Sequence, residues 1–170
     1  MRLNNAIRNS LERVNRLAEG LCCILLVLLV ILTVAQVFLR YVMKAPVSWS
    51  EEVALLILVW FGMLAVAIGV YRHSHMMITV LWNYFPPPWK YGLNILVELL
   101  IIVFALNIAL NAGLLINIVG DQTLSASEWP KAWLYIPLQV GGGLMFLNAA
   151  GNILLDHFPD RNITPSNFEM

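Results

Sequence analysis

Two acids and a base around one turn, and one acid deep inside an apolar run, are the side chains here with chemistry beyond packing. Arg40 closes one long apolar run, and Ser48-Trp49-Ser50-Glu51-Glu52 opens the next. Pro46 forbids helix through the middle and biases Ala45 to an extended conformation, so the connection reads as a tight return. The spacing Ser48-x-x-Glu51 predicts a capping box that sets both acids at a helix N-terminus, where negative charge is favoured. The turn then brings Arg40 within reach of Glu51 or Glu52. An ion at the edge of hydrocarbon needs a partner or the headgroup region. The expectation is therefore an ion pair that locks two helices or engages a partner subunit, with ion or substrate binding as the competing chemistry.

Glu98 is the second candidate, one turn from Asn94 within an apolar segment. An intramembrane carboxylate is a functional candidate by default. Against an exchangeable proton site stands the expectation that it lies near the cytoplasmic interface, paired with Arg72 or Lys90 or simply wetted. Asn107, Asn111 and Asn117 follow on the same segment and are expected to hydrogen-bond across helices. His73, His75 and His157 fall at segment ends, which gives no histidine pair at mid-membrane depth for a haem. Cys22 and Cys23 are adjacent, point to different helix faces, and read as small buried residues, not as a redox or metal pair. With no glycine-rich phosphate loop, Ser-His-Asp set or metal-spaced ligands, the sequence predicts no enzyme, cofactor or metal.

The elements that position these residues are membrane helices. Of 170 residues, 60% are hydrophobic and 12% charged, with mean hydropathy +0.77; a soluble domain has about 45–50% and about 25%. The net charge of +0 gives no reason to expect nucleic acid. A span needs about 20 apolar residues, and four fit, at about 20–41, 51–71, 89–118 and 132–155, in a single all-α membrane domain over 1–170. The first is expected to be retained, since its apolar core is long for a signal peptide and no small-residue cleavage site follows. Before it, Leu3, Ile7, Leu11, Val14 and Leu17 recur at helical spacing, with Glu12 four residues from Arg16. That pattern predicts an amphipathic helix on the lipid headgroups. Residues 76–85 are apolar but too short to cross and are stopped by Pro86-Pro87-Pro88, which predicts a short interfacial helix.

Trp60, Gly62, Ala65, Ala67 and Gly69 alternate large and small residues in the second span, and Gly141-Gly142-Gly143 interrupts the fourth. Small residues admit close helix approach in lipid, where packing drives association. Trp49, Trp82, Trp89, Trp129 and Trp133 fall at the proposed borders, as interfacial anchors do. Arg2, Arg8, Arg13, Arg16, Arg72, Lys90 and Arg161 fall on one side, against Arg40, Lys44 and Lys131 on the other. The positive-inside rule then makes both termini cytoplasmic.

Phe38-x-Arg40-Tyr41, Trp49-x-Glu51-Glu52, Trp60-x-Gly62 and Arg72-x-x-His75, with Pro86-Pro87-Pro88-Trp89 and Trp133-x-Tyr135-x-Pro137 before a glycine-rich span, form a pattern. It resembles the small membrane subunit of tripartite ATP-independent periplasmic (TRAP) transporters, the DctQ-like family. The resemblance runs from about Leu21 to Leu155 and is most specific from Arg40 to His75. It implies a four-helix subunit of the bacterial inner membrane that supports a much larger multi-span transport subunit. That partner is expected to carry an organic acid with sodium, fed by a periplasmic solute-binding protein. Sialic acid, dicarboxylates and sugar acids all fit. It also implies structural and partner-contact roles for Arg40, Glu51, Glu52, Trp49, Trp60, Arg72 and His75, and packing roles for Gly62, Gly69 and Gly141 to Gly143. The end of the chain soon after the fourth span favours a large subunit made as a separate chain. Four spans without inverted repeats or broken helices make a poor conduit by themselves. The reading from another class is a self-sufficient homo-oligomeric exporter with Glu98 as its proton site.

Overall fold

A computed structural model describes residues 2–45, 47–72 and 87–157. They form four helices: α1 (Arg2–Tyr41), α2 (Ser48–Tyr71), α3 (Pro87–Val119) and α4 (Ala132–His157). Among the described residues, Ile7–Tyr41, Ser48–Tyr71 and Ile95–Val119 are long and apolar enough to cross a membrane. No strand forms among them; one isolated antiparallel bridge joins Thr123 and Pro130. The interfacial helix expected over 76–85 lies outside the described residues, as does His75.

The segment expected to lie separately on the headgroups is instead continuous with the first span, so α1 is one helix of 40 residues. Nothing between Leu17 and Leu21 breaks it, since a lone Gly20 costs a helix only about 1 kcal/mol. Asn15, Ala18 and Cys22 are the buried residues, while Leu17 is 76% exposed. Glu12 pairs with Arg8, one turn before it, at 3.2 Å, and not with Arg16. The start of α2 also departs from expectation: Val47 is the N-cap and no side chain caps the helix, so the Ser48 box does not form. Ser50 Oγ donates to Val47 O at 2.6 Å instead.

α4 is the central helix and packs against α3, α2 and, more lightly, α1, while α1 leans mainly on α2. Its sequence explains the position. Gly141, Gly142, Ala149 and Gly151 are buried with Asn148 and Asn152, so small and amide residues make up most of its inner stripe, together with Leu144 and Met145. On α3 the stripe is Glu98, Ala105 and Ala112, seven residues apart, while Leu100, Phe104, Leu110 and Leu114 face outward. The bundle is thus inverted relative to a soluble one. In lipid, leucine gains nothing by leaving the surface, whereas small residues let backbones approach and polar ones find partners.

The glycines separate accordingly. A Cβ on Gly141 would stand 2.7 Å from Met63 Cβ of α2, and one on Gly142 3.1 Å from Ala105 O of α3. Gly62, Gly69 and Gly143 have open space beside them. Gly141→Ala therefore forces α2 and α4 apart and is expected to cost about 1–3 kcal/mol, as overpacking does. Gly143→Ala should leave stability unchanged; denaturation of both variants in detergent checks the contrast.

Candidate functional site

Two polar centres lie at opposite ends of the bundle. At one end α1 closes with Ala45 N reaching back to Leu39 O at 3.1 Å while Lys44 takes a φ of 53°. This return sets Arg40 against α2. Its Nη1 stands 3.9 Å from Glu51 Oε1, and both side chains are mostly exposed, at 64% and 76%. So long and wet a pair contributes little to stability by itself.

Glu52 turns away from Arg40 and holds the loop between α3 and α4. Its Oε1 accepts from Ala126 N at 3.0 Å, and its Oε2 accepts from Ser127 N at 2.8 Å and Ser127 Oγ at 2.6 Å. The loop is a small hairpin of its own, with Leu124 N on Trp129 O and Lys131 N on Gln122 O, both at 2.8 Å. Glu128 at its tip takes a φ of 57°. Trp49, Trp129 and Trp133 stand about half exposed at this end, while Trp60 packs partly buried against the core.

At the other end, all four helices meet through buried polar groups. Asn15 of α1 and Asn148 of α4 exchange two hydrogen bonds, Nδ2 to Oδ1, at 2.8 and 3.0 Å. Asn148 Nδ2 also donates to Ala67 O of α2 at 2.8 Å. One turn on, Asn152 Nδ2 donates to Val70 O of α2 at 3.0 Å and to Glu98 Oε1 of α3 at 3.2 Å. Glu98 is 1% exposed, so it is buried and not wetted. Arg72, one of the two partners expected for it, is taken by Glu19 of α1, which accepts from Nη2 at 2.7 Å and Nε at 3.1 Å, while the side chain of the other, Lys90, lies outside the described residues. Ala67 lies about 30 Å along α2 from Ser48, comparable to the hydrocarbon thickness. When the Arg40 turn marks one membrane face, the joint therefore lies towards the other.

The amides expected to bridge helices do not do so. Asn111 Nδ2 bonds to Asn107 Oδ1 and Asn107 O within α3, at 2.7 and 2.8 Å, on an exposed face. The bridging amides are Asn15, Asn148 and Asn152, which the sequence reading passed over. Their signal was present: Asn148 and Asn152 stand four apart beside the small residues Ala149 and Gly151. Cys22 is buried, its Sγ 3.9 Å from Phe61 O, and Cys23 is exposed.

Asn148→Leu removes three of these hydrogen bonds and leaves the Asn15 Oδ1 without its donor, while Asn15 Nδ2 keeps Leu11 O. It is expected to lower stability by about 1–3 kcal/mol, whereas Asn111→Leu on the exposed face of α3 should cost far less; parallel thermal denaturation of the two distinguishes them. Glu52→Ala should leave the helices intact yet speed protease cleavage within 121–130 several-fold, while Glu51→Ala leaves that rate unchanged.

The sequence matches the family described as "Tripartite ATP-independent periplasmic transporters, DctQ component" over residues 29–157. It is similar to the sialic acid TRAP transporter permease protein SiaT of Haemophilus influenzae (strain 86-028NP), 33% identical over 93 residues, covering 55% of this chain and 15% of that protein. It is also similar to a TRAP transporter small permease protein of Haemophilus influenzae (strain Rd), 23% identical over 139 residues, 82% of this chain and 86% of that one. This chain thus spans a small part of the first relative and most of the second. Because the family's pattern runs through the Arg40 turn, all of α2 and α3 and the amide joint on α4, the chain belongs to the DctQ component family of TRAP transporters.

Proposed function

We propose that this protein is the scaffold subunit of a sodium-coupled, binding-protein-dependent importer of an organic acid. All four helices cross the bacterial inner membrane, with both termini in the cytoplasm, as the distribution of Arg and Lys favours. Its work is to hold a larger multi-span transport subunit in the bilayer while a periplasmic solute-binding protein delivers the solute. Sialic acid is the favoured cargo, because a sialic acid permease protein is among the relatives. The selective pocket would belong to the large subunit.

One observation carries this reading. The buried polar side chains Asn15, Glu98, Asn148 and Asn152 are bonded to one another or to the backbone of α2, so the interior is a joint between helices and not a lined route. The outer faces of α1 and α3 are broad apolar walls, which suit lipid and a partner's helices equally. Gly62, Gly69 and Gly143, with open space beside them, offer that partner places of close approach. Arg40, Glu51, Trp49 and Glu52 stiffen the end that we assign to the periplasm; Trp60 packs against the core and Arg72 pairs with Glu19 at the other end, and both support the assembly from within. Glu98 as the proton site of a self-sufficient exporter is disfavoured by its engagement with the α4 amide and by membership of a transporter-component family.

Vesicles containing this chain, the large subunit and the binding protein should take up labelled sialic acid when a sodium gradient is applied. Omission of this chain should reduce uptake to background, and the chain alone should move nothing. Solute movement by the chain alone, abolished by Glu98→Gln, would replace the scaffold with the exporter.

A further inference from the structure

Between α1 and α2, at the end closed by the Arg40 turn, lies a cavity of about 280 Å³ lined by Gln36, Val37, Arg40, Tyr41, Val47, Ser48, Ser50 and Glu51. It is slightly smaller than the range for drug-sized ligands, about 300–1,000 Å³, and so suits a small polar group. Three independent features give it a preference for anions. Gln36 lines the wall, and its Nε2 is sealed from solvent with no hydrogen-bond partner among the described residues, so it reaches an occupant only through its amide dipole, which no acceptor offsets. Among the described residues, the Arg40 guanidinium has one ion-pair approach, 3.9 Å to Glu51, too long for a hydrogen bond. The N-terminus of α2, a helix of 24 residues, has no side-chain cap, so its first amides and its dipole also favour negative charge.

We propose that this cavity binds the headgroup of a zwitterionic phospholipid, with the phosphate on Arg40 and the start of α2 and the ammonium on Glu51. Glu51 decides the class. It shares the rim with Arg40, so a lone anion would meet a carboxylate beside its cation, whereas a phosphate followed by an amine finds opposite charges in the right order. The rim decides the source. Val37, Phe38, Val42 and Met43 are each more than half exposed beside the cavity, which provides an apolar landing for acyl chains that free phosphate would not use. The proposal rests on the reading that the turn from Tyr41 to Trp49 lies at a membrane face.

The test uses the full chain, purified in mild detergent and offered equal amounts of phosphatidylethanolamine and phosphatidylglycerol, with bound lipid read by native mass spectrometry. Wild type should retain the ethanolamine lipid several-fold better. Arg40→Gln should lower that retention by about tenfold, the effect of losing a charged hydrogen bond, and Gln36→Leu should lower it less. Glu51→Gln should remove the discrimination by raising the glycerol lipid to the same level, and Arg8→Gln should change nothing. Equal retention by wild type and Arg40→Gln overturns the proposal. So does complete displacement by inorganic phosphate, which would make this a free-anion site, and so does loss of the lipid whenever the large subunit is bound, which would assign the cavity to a protein neighbour. Should Arg40→Gln fail to fold by circular dichroism, Gln36→Leu and Glu51→Gln carry the test. Failure of the chain to fractionate with membranes would instead sink the membrane reading itself, a different result from unchanged lipid retention.

Discussion

Hydrocarbon supplies no hydrogen-bond partner, so an amide placed inside a membrane bundle must find one on another helix, and that requirement organises this protein. Asn148 meets it with Asn15 on one side and the Ala67 carbonyl on the other, and Asn152 repeats the solution one turn later with Val70 and Glu98. Because both asparagines belong to α4, this helix becomes the common neighbour of the other three. An amide is a directional fastener. Leucines can slide past one another in lipid with little change in energy, but a two-bond exchange between Asn15 and Asn148 fits one register.

Small residues do the rest of the work along α4. Gly141 and Gly142 let α2 and α3 approach to backbone distance, and Ala105, Ala112 and Ala149 continue the close contact. Dispersion between closely spaced backbones supplies the attraction that hydrophobicity supplies in water. A few large apolar side chains, among them Leu64, Ile68, Leu144 and Met145, lie in the core, whereas those of α1 and α3 are mostly left on the outside, where they make a wall that lipid or another membrane subunit can cover. A small subunit built in this way has its rigidity at its centre and its adhesive surface on its perimeter, which suits a scaffold.

The two ends of the bundle differ in how they are closed. At the amide joint the groups are buried and mutually bonded. At the Arg40 turn they are exposed and only partly engaged, so that end remains open. Adjacent acids there act separately because successive helical residues point about 100° apart: Glu51 faces α1 and Arg40, while Glu52 faces the α3–α4 loop and holds it by three hydrogen bonds.

The sequence by itself determined the class of the protein, because composition and the lengths of apolar runs report directly on the solvent in which a chain folds. It also located the return after Arg40, the bounds of α2, α3 and α4 to within a few residues, and the family pattern around Arg40. It could not determine which face of each helix turns inward. Periodicity of leucine and valine marks the inside in water, but in lipid those residues are indifferent, so the stripe Leu3, Ile7, Leu11, Val14 and Leu17, read as facing lipid, did not reveal that Asn15, Ala18 and Cys22 face the bundle. Nor could it choose among amides, since Asn107, Asn111, Asn148 and Asn152 look alike along the chain. Only the tertiary structure decided that two of them bond to each other on the surface while the other two join the bundle, because a hydrogen bond across helices depends on which backbones come within 3 Å. That proximity is set by glycines and alanines, whose contribution is the space they leave.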